Sequence, residues 1–308
     1  MGRMDNRDRF AEAARDERPD LALLCLLIGV EAAYPGDGPS ADEAASTDEA
    51  GSQGEAGTQG ACAPRSPEAT VDSAQIELDR LAGLLPYARG RSPEEWARAL
   101  ERLLGEEHDF RGTNADYRRL DSSLLQAVLG RRRGLPILLS VVWMEVARRA
   151  GAPVYGVALP GHFVVGFGDP SGEHVLADPF GGGRLLGSGD LEVLIAGATG
   201  RRTGVSHALL QPADPLEIVL RVLNNIRAWA AARPEQSGVR LWALDLSLRL
   251  PHHPARLRYE RAQLLVERGD FIGGAVEMEA YAEVIAAMEP SAADTVRRAA
   301  RAARARLN

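Results

Sequence analysis

The sequence changes character at Ala152, where helical stretches give way to short apolar runs. Four such runs, each four to seven residues long, are bounded by glycine, proline or aspartate: PVYGVAL, HFVVGFG, HVLADPF and GRLL. Runs of this length with these boundaries predict the strands of an antiparallel meander. The apolar stretch before them predicts a helix from Pro136 to Gly151, buried on nearly all sides because its charged residues lie only near its end. A small sheet packed on helices is an α+β arrangement.

After about Pro212 the pattern is helical to the end of the chain. The last pair of predicted helices has the spacing of a tetratricopeptide unit. The residues that carry this spacing are Tyr259, Ala262, Gly269, Asp270, Phe271, Ala275 and Pro290. There is room for two units at most, so the sequence predicts an all-α, tetratricopeptide-like appendage docked on the first domain.

Residues 36–75 are rich in Gly, Ala, Ser, Pro and acidic side chains. They hold eight acidic residues and one arginine, so this segment carries the whole net charge of −7. With almost no large apolar residues it cannot offset its ordering entropy, and we predict a disordered insertion without a site. The rest of the chain is close to neutral, which argues against a nucleic-acid-binding protein.

The two cysteines form neither a disulfide framework nor a metal-binding pair. Cys25 lies in the apolar run LALLCLLIGV, which is too short to cross a bilayer and is preceded by acidic residues and Pro19. We interpret it as a buried helix of a cytoplasmic protein, with Cys25 as a core thiol. Cys62 lies in the acidic insertion. No residue pattern predicts a metal site, a cofactor or a membrane segment.

His162 and Asp178 are the two residues that indicate chemistry. Each lies in one of the short strand-like runs, sixteen residues apart, with a glycine-rich hairpin between them. A histidine oriented by an aspartate is two thirds of a nucleophilic triad. The pair is equally consistent with a buried histidine whose ring is fixed by Asp178 without any turnover.

The order of these features resembles the transglutaminase-like, papain-like arrangement. In that family a cysteine opens a buried helix, where the helix N-terminus lowers its pKa, and a histidine and an aspartate follow on strands. The resemblance implies that the cysteine would lie near Pro136 or Ile137. Neither residue can act as a nucleophile.

A closer resemblance is to the bacterial SirB-type proteins, carried by RRGLPILLS, PGHF and DPF. These proteins combine a transglutaminase-like domain with C-terminal tetratricopeptide-like helices, and a related domain occurs in an animal F-box ubiquitin-ligase subunit. The resemblance covers residues 7–35 and 76–290 and implies that members commonly lack the cysteine. The expected division is N-terminal helices over 1–35, the insertion over 36–75, a transglutaminase-like core over 76–212 and the helical region over 213–308.

Ser140 is a candidate replacement for the missing nucleophile, because it lies one helical turn beyond Pro136. It could face His162 and complete a rearranged Ser-His-Asp set. The alternative is a hydrogen bond back to a carbonyl one turn earlier in its own helix, as is common for serines within helices.

Two functions therefore compete. The first is a non-catalytic, transglutaminase-like protein, a pseudoenzyme that acts as an interaction or regulatory module and binds a protein or peptide through its helical C-terminal region. The second is a residual hydrolase or acyl transferase that uses His162 and Asp178 with Ser140 or a bound water.

Overall fold

A computed structural model describes residues 5–34, 66–88, 90–200 and 204–306 of the chain. Within them the helices are α1 (Asn6–Ala13), α2 (Leu21–Ala33), α3 (Pro67–Gly83), α4 (Pro93–Leu100), α5 (Leu125–Arg131), α6 (Pro136–Arg149), α7 (Ser188–Thr199), α8 (Pro215–Ala231), α9 (Ser237–Arg249), α10 (Arg256–Glu267), α11 (Phe271–Ile285) and α12 (Pro290–Ala305). A π-helical stretch, Glu101–Glu107, continues α4, and short 3₁₀ turns connect several elements. The α+β fold class is confirmed.

The predicted meander forms as a single four-stranded sheet. Its strands are β1 (Val154–Leu159), β2 (His162–Gly168), β3 (His174–Asp178) and β4 (Arg184–Leu186). They lie in the order β1-β2-β3-β4, and each pairs antiparallel with the next. This is the topology expected when short connections join neighbouring strands.

Local sequence signals fix several helix starts. The Asp20 side chain accepts a hydrogen bond from the Leu23 amide at the start of α2. Ser92 and Glu95 form a capping box at the start of α4. Each of these side chains satisfies an amide that has no partner within its helix.

One boundary differs from the sequence prediction. Helix α3 begins at Pro67, with Ser66 as its N-cap, so residues 66–75 of the predicted insertion are ordered. Val71 and Ala74 are buried there. The surrounding small and acidic residues gave this segment the composition of a disordered one, so the sequence did not indicate its apolar face. The remaining part of the insertion, residues 36–65, lies outside the described residues.

Helix α6 lies at the centre of the main core. All of its residues from Pro136 to Ala147 are buried. The main hydrophobic cluster joins them to α2, α3, the strands, α8 and α9, whereas α10, α11 and α12 share a smaller cluster of their own. The first two helices of the C-terminal region therefore complete the core that contains the sheet. The tetratricopeptide-like assignment of this region and the domain boundaries after residues 35 and 212 stay predictions.

Ion pairs connect the N-terminal helix α1 to α2 and α9. Arg7 on α1 contacts Glu31 on α2 at 2.7 Å and Asp245 on α9 at 2.9 Å. Arg249 on α9 pairs with Asp8 at 2.8 Å. Glu31 is fully buried, and an unpaired buried carboxylate is costly, so its contact with Arg7 helps to fix α1 against α2.

Candidate functional site: the His162–Asp178 pair

The strand register brings His162 and Asp178 together. Leu159 pairs with His162 across a two-residue turn, and Val165 pairs with Ala177 in the next ladder. Continued by one residue, that register places Asp178 opposite Val164, two residues from His162. Side chains two residues apart on a strand project from the same face. His162 Nε2 and Asp178 Oδ1 lie 2.9 Å apart, as expected from the sequence.

Aromatic side chains enclose this pair. The side chains of His162 and Asp178 are 11% and 8% exposed. The Phe180 ring meets the imidazole edge-to-face at 5.9 Å, and Tyr117 meets Phe180 in the same way at 6.1 Å. Asp178 Oδ1 also accepts a hydrogen bond from the Phe180 amide at 3.1 Å. The carboxylate therefore fixes both the imidazole and the turn that holds Phe180.

The hydrogen bond also determines which nitrogen of the neutral imidazole carries the proton. An ionised carboxylate can only accept hydrogen bonds, so His162 Nε2 carries the proton and Nδ1 has the lone pair. No hydrogen bond joins His162 Nδ1 to any described residue. An oriented imidazole of this kind could act as a base if a nucleophile lay beside Nδ1.

Ser140 does not supply that nucleophile by a direct hydrogen bond. Its hydroxyl is fully buried and donates to the Phe163 carbonyl on β2 at 3.3 Å. The bond within its own helix, which the sequence suggested as the alternative, is also not the one formed. Within the described chain Ser140 has no other hydrogen bond, so it binds the backbone of the residue after His162 and not the imidazole.

The strand register explains why the Phe163 carbonyl takes a hydroxyl as its partner. Continued by two residues beyond the Val165–Ala177 pair, the register would place Pro179 opposite Phe163. Proline has no amide hydrogen to donate, so strand β3 ends there and the carbonyl is left without a ladder partner. A buried carbonyl needs a donor, and the Ser140 hydroxyl provides it.

The start of α6 has no reactive group. The helix begins at Pro136, and no side chain caps its N-terminus. Ile137 is 2% exposed and belongs to the main core. Proline suits the first position of a helix because its missing amide hydrogen would have no partner there. Apolar packing therefore occupies the position where a thiolate would be expected.

Cys25 is a core residue, as predicted. It lies on α2, is 1% exposed and belongs to the main hydrophobic cluster. Burial raises the pKa of the Cys25 thiol far above its usual range, with smaller contributions from Glu145 and Asp20. A thiol with such a pKa is protonated and poorly nucleophilic at neutral pH. Cys62 lies outside the described residues.

Two residues of this region were not identified from the sequence. Arg221 on α8 donates from Nη2 to the carbonyls of Leu159 (2.8 Å) and His162 (2.6 Å). Burial lowers the pKa of Arg221, and burial raises that of Tyr117, with Asp178 contributing. Neither residue belongs to a recognisable motif, and packing of α8 on the sheet brings Arg221 to the turn.

The described part of the chain contains no group of three or more His, Cys, Asp or Glu residues arranged to hold a metal ion. In that part, no helix has the length and apolar character needed to cross a membrane. Five surface clefts of 450 to 680 Å³ are lined by residues that include none of His162, Asp178 and Ser140.

The sequence profile described as "Transglutaminase-like superfamily" matches residues 71–224. This span is half of the chain and contains α6, the whole sheet, the His162–Asp178 pair and Arg221.

Curated relatives are similar over parts of the chain. A UPF0162 protein of Xylella fastidiosa is 31% identical over 189 residues, which are 60% of this chain and 66% of the relative. A UPF0162 protein of Pseudomonas aeruginosa is 39% identical over 114 residues, 37% of this chain and 41% of the relative. F-box only protein 21 of Mus musculus is 25% identical over 167 residues, 52% of this chain and 26% of the relative. The chain thus spans two thirds or less of the length of each.

Proposed function

Because the chain belongs to the transglutaminase-like superfamily but opens its buried helix with Pro136 and Ile137, we propose that it is a non-catalytic member that acts as an interaction or regulatory module. The helix start is the observation that carries this proposal. A cysteine-dependent acyl transfer needs a thiolate beside the histidine. At the position where the resemblance expects that thiolate, this chain has a proline and a buried isoleucine.

The surrounding polar groups support the proposal because each has a structural partner. Asp178 binds both the His162 ring and the Phe180 amide, and Ser140 binds a strand carbonyl. A hydroxyl that already donates to a buried carbonyl would have to leave it unsatisfied in order to attack a substrate, and this is costly. Cys25, on α2, is protonated and sealed in the core.

The C-terminal helices support a role in binding a protein or peptide. Four apolar side chains on or just after α11 are 51% to 78% exposed: Ile272, Val276, Val284 and Met288. Their spacing is four, eight and four residues. Residues four apart form one ridge of a helix, the kind of ridge that packs against a partner helix. Exposed apolar groups in a row are a common mark of interaction surfaces.

A residual hydrolase or acyl transferase is the second candidate, and the 2.9 Å contact between His162 and Asp178 favours it. With Nε2 bound to the carboxylate, Nδ1 could take a proton from a bound water or, after a rearrangement, from Ser140. This candidate requires the aromatic cover formed by Phe180 and Tyr117 to admit a substrate.

An activity assay separates the two candidates. Purified protein is incubated with a p-nitrophenyl ester, and separately with a glutamine peptide and a primary amine, at pH 6 to 9. We expect product formation no faster than in the matched His162→Ala variant, and no effect of a thiol alkylating agent. Turnover that disappears in His162→Ala would overturn the non-catalytic proposal.

A further inference from the structure

A second polar region, far from any recognised motif, lies where the ends of α8, α9 and α10 meet. We call it the arginine cleft. It has a volume of 660 Å³ and its polar lining consists of Arg233, Ser237, Arg240, Glu267 and Arg268. Three guanidinium groups face one carboxylate, so the lining carries a net charge of +2 in a protein whose overall charge is −7.

The arginines of the cleft are held in place. The Arg233 guanidinium stacks on the Trp229 ring at 4.4 Å and donates to the Trp229 carbonyl at 2.6 Å. Arg268 Nη1 donates to Ser237 Oγ at 2.7 Å. Side chains that are already ordered lose less conformational entropy when a ligand binds.

The charges within the cleft are poorly matched. Arg240 reaches its two carboxylates only at long distances, 3.4 Å to Glu260 and 3.6 Å to Glu267. Its Nε atom is buried and has no hydrogen-bond partner in the described chain. Burial lowers the pKa of the neighbouring Arg227; Glu260 raises it, and Arg256 and Arg240 lower it further. Cations are therefore crowded here without enough acceptors, the opposite of a saturated structural ion-pair network.

We propose that the arginine cleft binds a short acidic peptide segment of a partner protein that presents two carboxylates and an aliphatic side chain. Two carboxylates neutralise the net charge of +2, and arginine is the side chain best suited to binding carboxylates in pairs of hydrogen bonds. Ala231 and Pro234, which are exposed, offer apolar contact, and the buried Ala230 and Leu264 complete the lining. The volume is in the range of a ligand site, about 300 to 1,000 Å³, and is much larger than one small anion needs.

This inference rests on the proposed function, because it names the kind of partner that the helical region would bind. Its test uses the full chain and a fluorescein-labelled, C-terminally amidated peptide with the sequence Gly-Gly-Glu-Leu-Glu-Gly-Gly. Fluorescence anisotropy measures its binding at low salt, and the matched peptide with both glutamates replaced by glutamine reports any binding that does not need the carboxylates.

Substitutions at two neighbouring exposed residues, Arg268 and Glu267, should change the peptide affinity in opposite directions. Arg268→Glu should weaken binding roughly ten-fold, because it replaces an attractive charge by a repulsive one. Glu267→Gln should tighten binding by a factor of about three, because it removes the carboxylate that competes for Arg240. Arg298→Glu on α12 is the matched control, since Arg298 is exposed and bonds only to Thr295 in the described chain. It should leave the affinity unchanged.

Three results would overturn the arginine cleft as a peptide site. They are absence of binding to the glutamate peptide, equal weakening by Arg268→Glu and Arg298→Glu, and displacement of the peptide by an equal concentration of inorganic phosphate. None of them bears on the activity assay at His162. A failed cleft would thus leave the non-catalytic proposal standing, and turnover at His162 would leave the peptide measurement interpretable.

Discussion

The His162–Asp178 pair and the arginine cleft are two polar regions built in opposite ways. Around the pair, the imidazole, the carboxylate and the nearby Ser140 hydroxyl each bind a protein group, and the Phe180 ring packs edge-to-face against the imidazole. In the arginine cleft, cations outnumber carboxylates, and Arg240 has a buried nitrogen without a partner. Polar groups that satisfy one another hold a fold together, whereas groups that lack partners are available to a ligand. The His162–Asp178 pair, which resembles part of an active site, is thus the region whose polar groups already bind protein groups.

The largest effect that we predict is a fall in the unfolding free energy at high pH, caused by the burial of Cys25. Burial raises the folded-state pKa of Cys25 above its unfolded value, so above pH ~9 the unfolded state loses a proton that the folded state keeps. The unfolded state then binds fewer protons, and the free energy of unfolding should fall by about 1.4 kcal/mol per pH unit. Urea denaturation between pH 9 and pH 11 measures this slope.

Cys25→Ala is the control for that slope, since it removes the titrating thiol and leaves every other group. The chain contains no lysine, and the titration of its six tyrosines is common to both proteins and cancels in the difference. We expect the difference in unfolding free energy between the two proteins to change steadily above pH ~9. A difference that is constant with pH would contradict a sealed core around α2.

A smaller effect distinguishes two buried serines. Ser140→Ala removes the donor to the Phe163 carbonyl and should cost about 1 to 3 kcal/mol of unfolding free energy. Ser247 on α9 is equally buried, but its hydroxyl donates to the Ala243 carbonyl of its own helix at 2.7 Å. That carbonyl already accepts a helical hydrogen bond, so Ser247→Ala should change stability much less. Equal costs in chemical denaturation would argue against the role given to Ser140.

The smallest stability effect is expected in the arginine cleft. Arg240→Met keeps the side-chain length but removes a partly buried charge with distant partners. Replacing such a charge by an apolar group is often neutral or stabilising. We expect a change within about 0.5 kcal/mol or a gain in stability, measured by thermal and urea unfolding. A loss of several kcal/mol would show that the arginine cleft is a structural network like the region around the His162–Asp178 pair.

The features that could be predicted from the sequence are those indicated by patterns within neighbouring residues. Short apolar runs bounded by glycine, proline or aspartate predicted the meander, Pro136 predicted the start of α6, and the placement of His162 and Asp178 on neighbouring runs predicted their contact. The sequence also placed Cys25 in the core. Each of these depends on local geometry, such as strand alternation or a helix cap.

The rest depends on contacts between segments far apart in the chain. The partner of Ser140 is set by Pro179, about forty residues later, through a strand register that no local pattern specifies. The arginine cleft needs the ends of three helices to meet, and Arg221 reaches the sheet only because α8 packs there. Tertiary packing decides such contacts, and isolated arginines in a helix give no signal for them.

A double-mutant cycle between His162 and Asp178 tests the central claim, that this pair serves the fold. The unfolding free energies of the wild type, His162→Ala, Asp178→Ala and the double variant are measured by urea denaturation at pH 7. We expect His162→Ala alone to lower the unfolding free energy by about 1 to 3 kcal/mol, and we expect a coupling energy of about 1 kcal/mol or more. A coupling energy near zero, with His162→Ala as stable as the wild type, would contradict this claim.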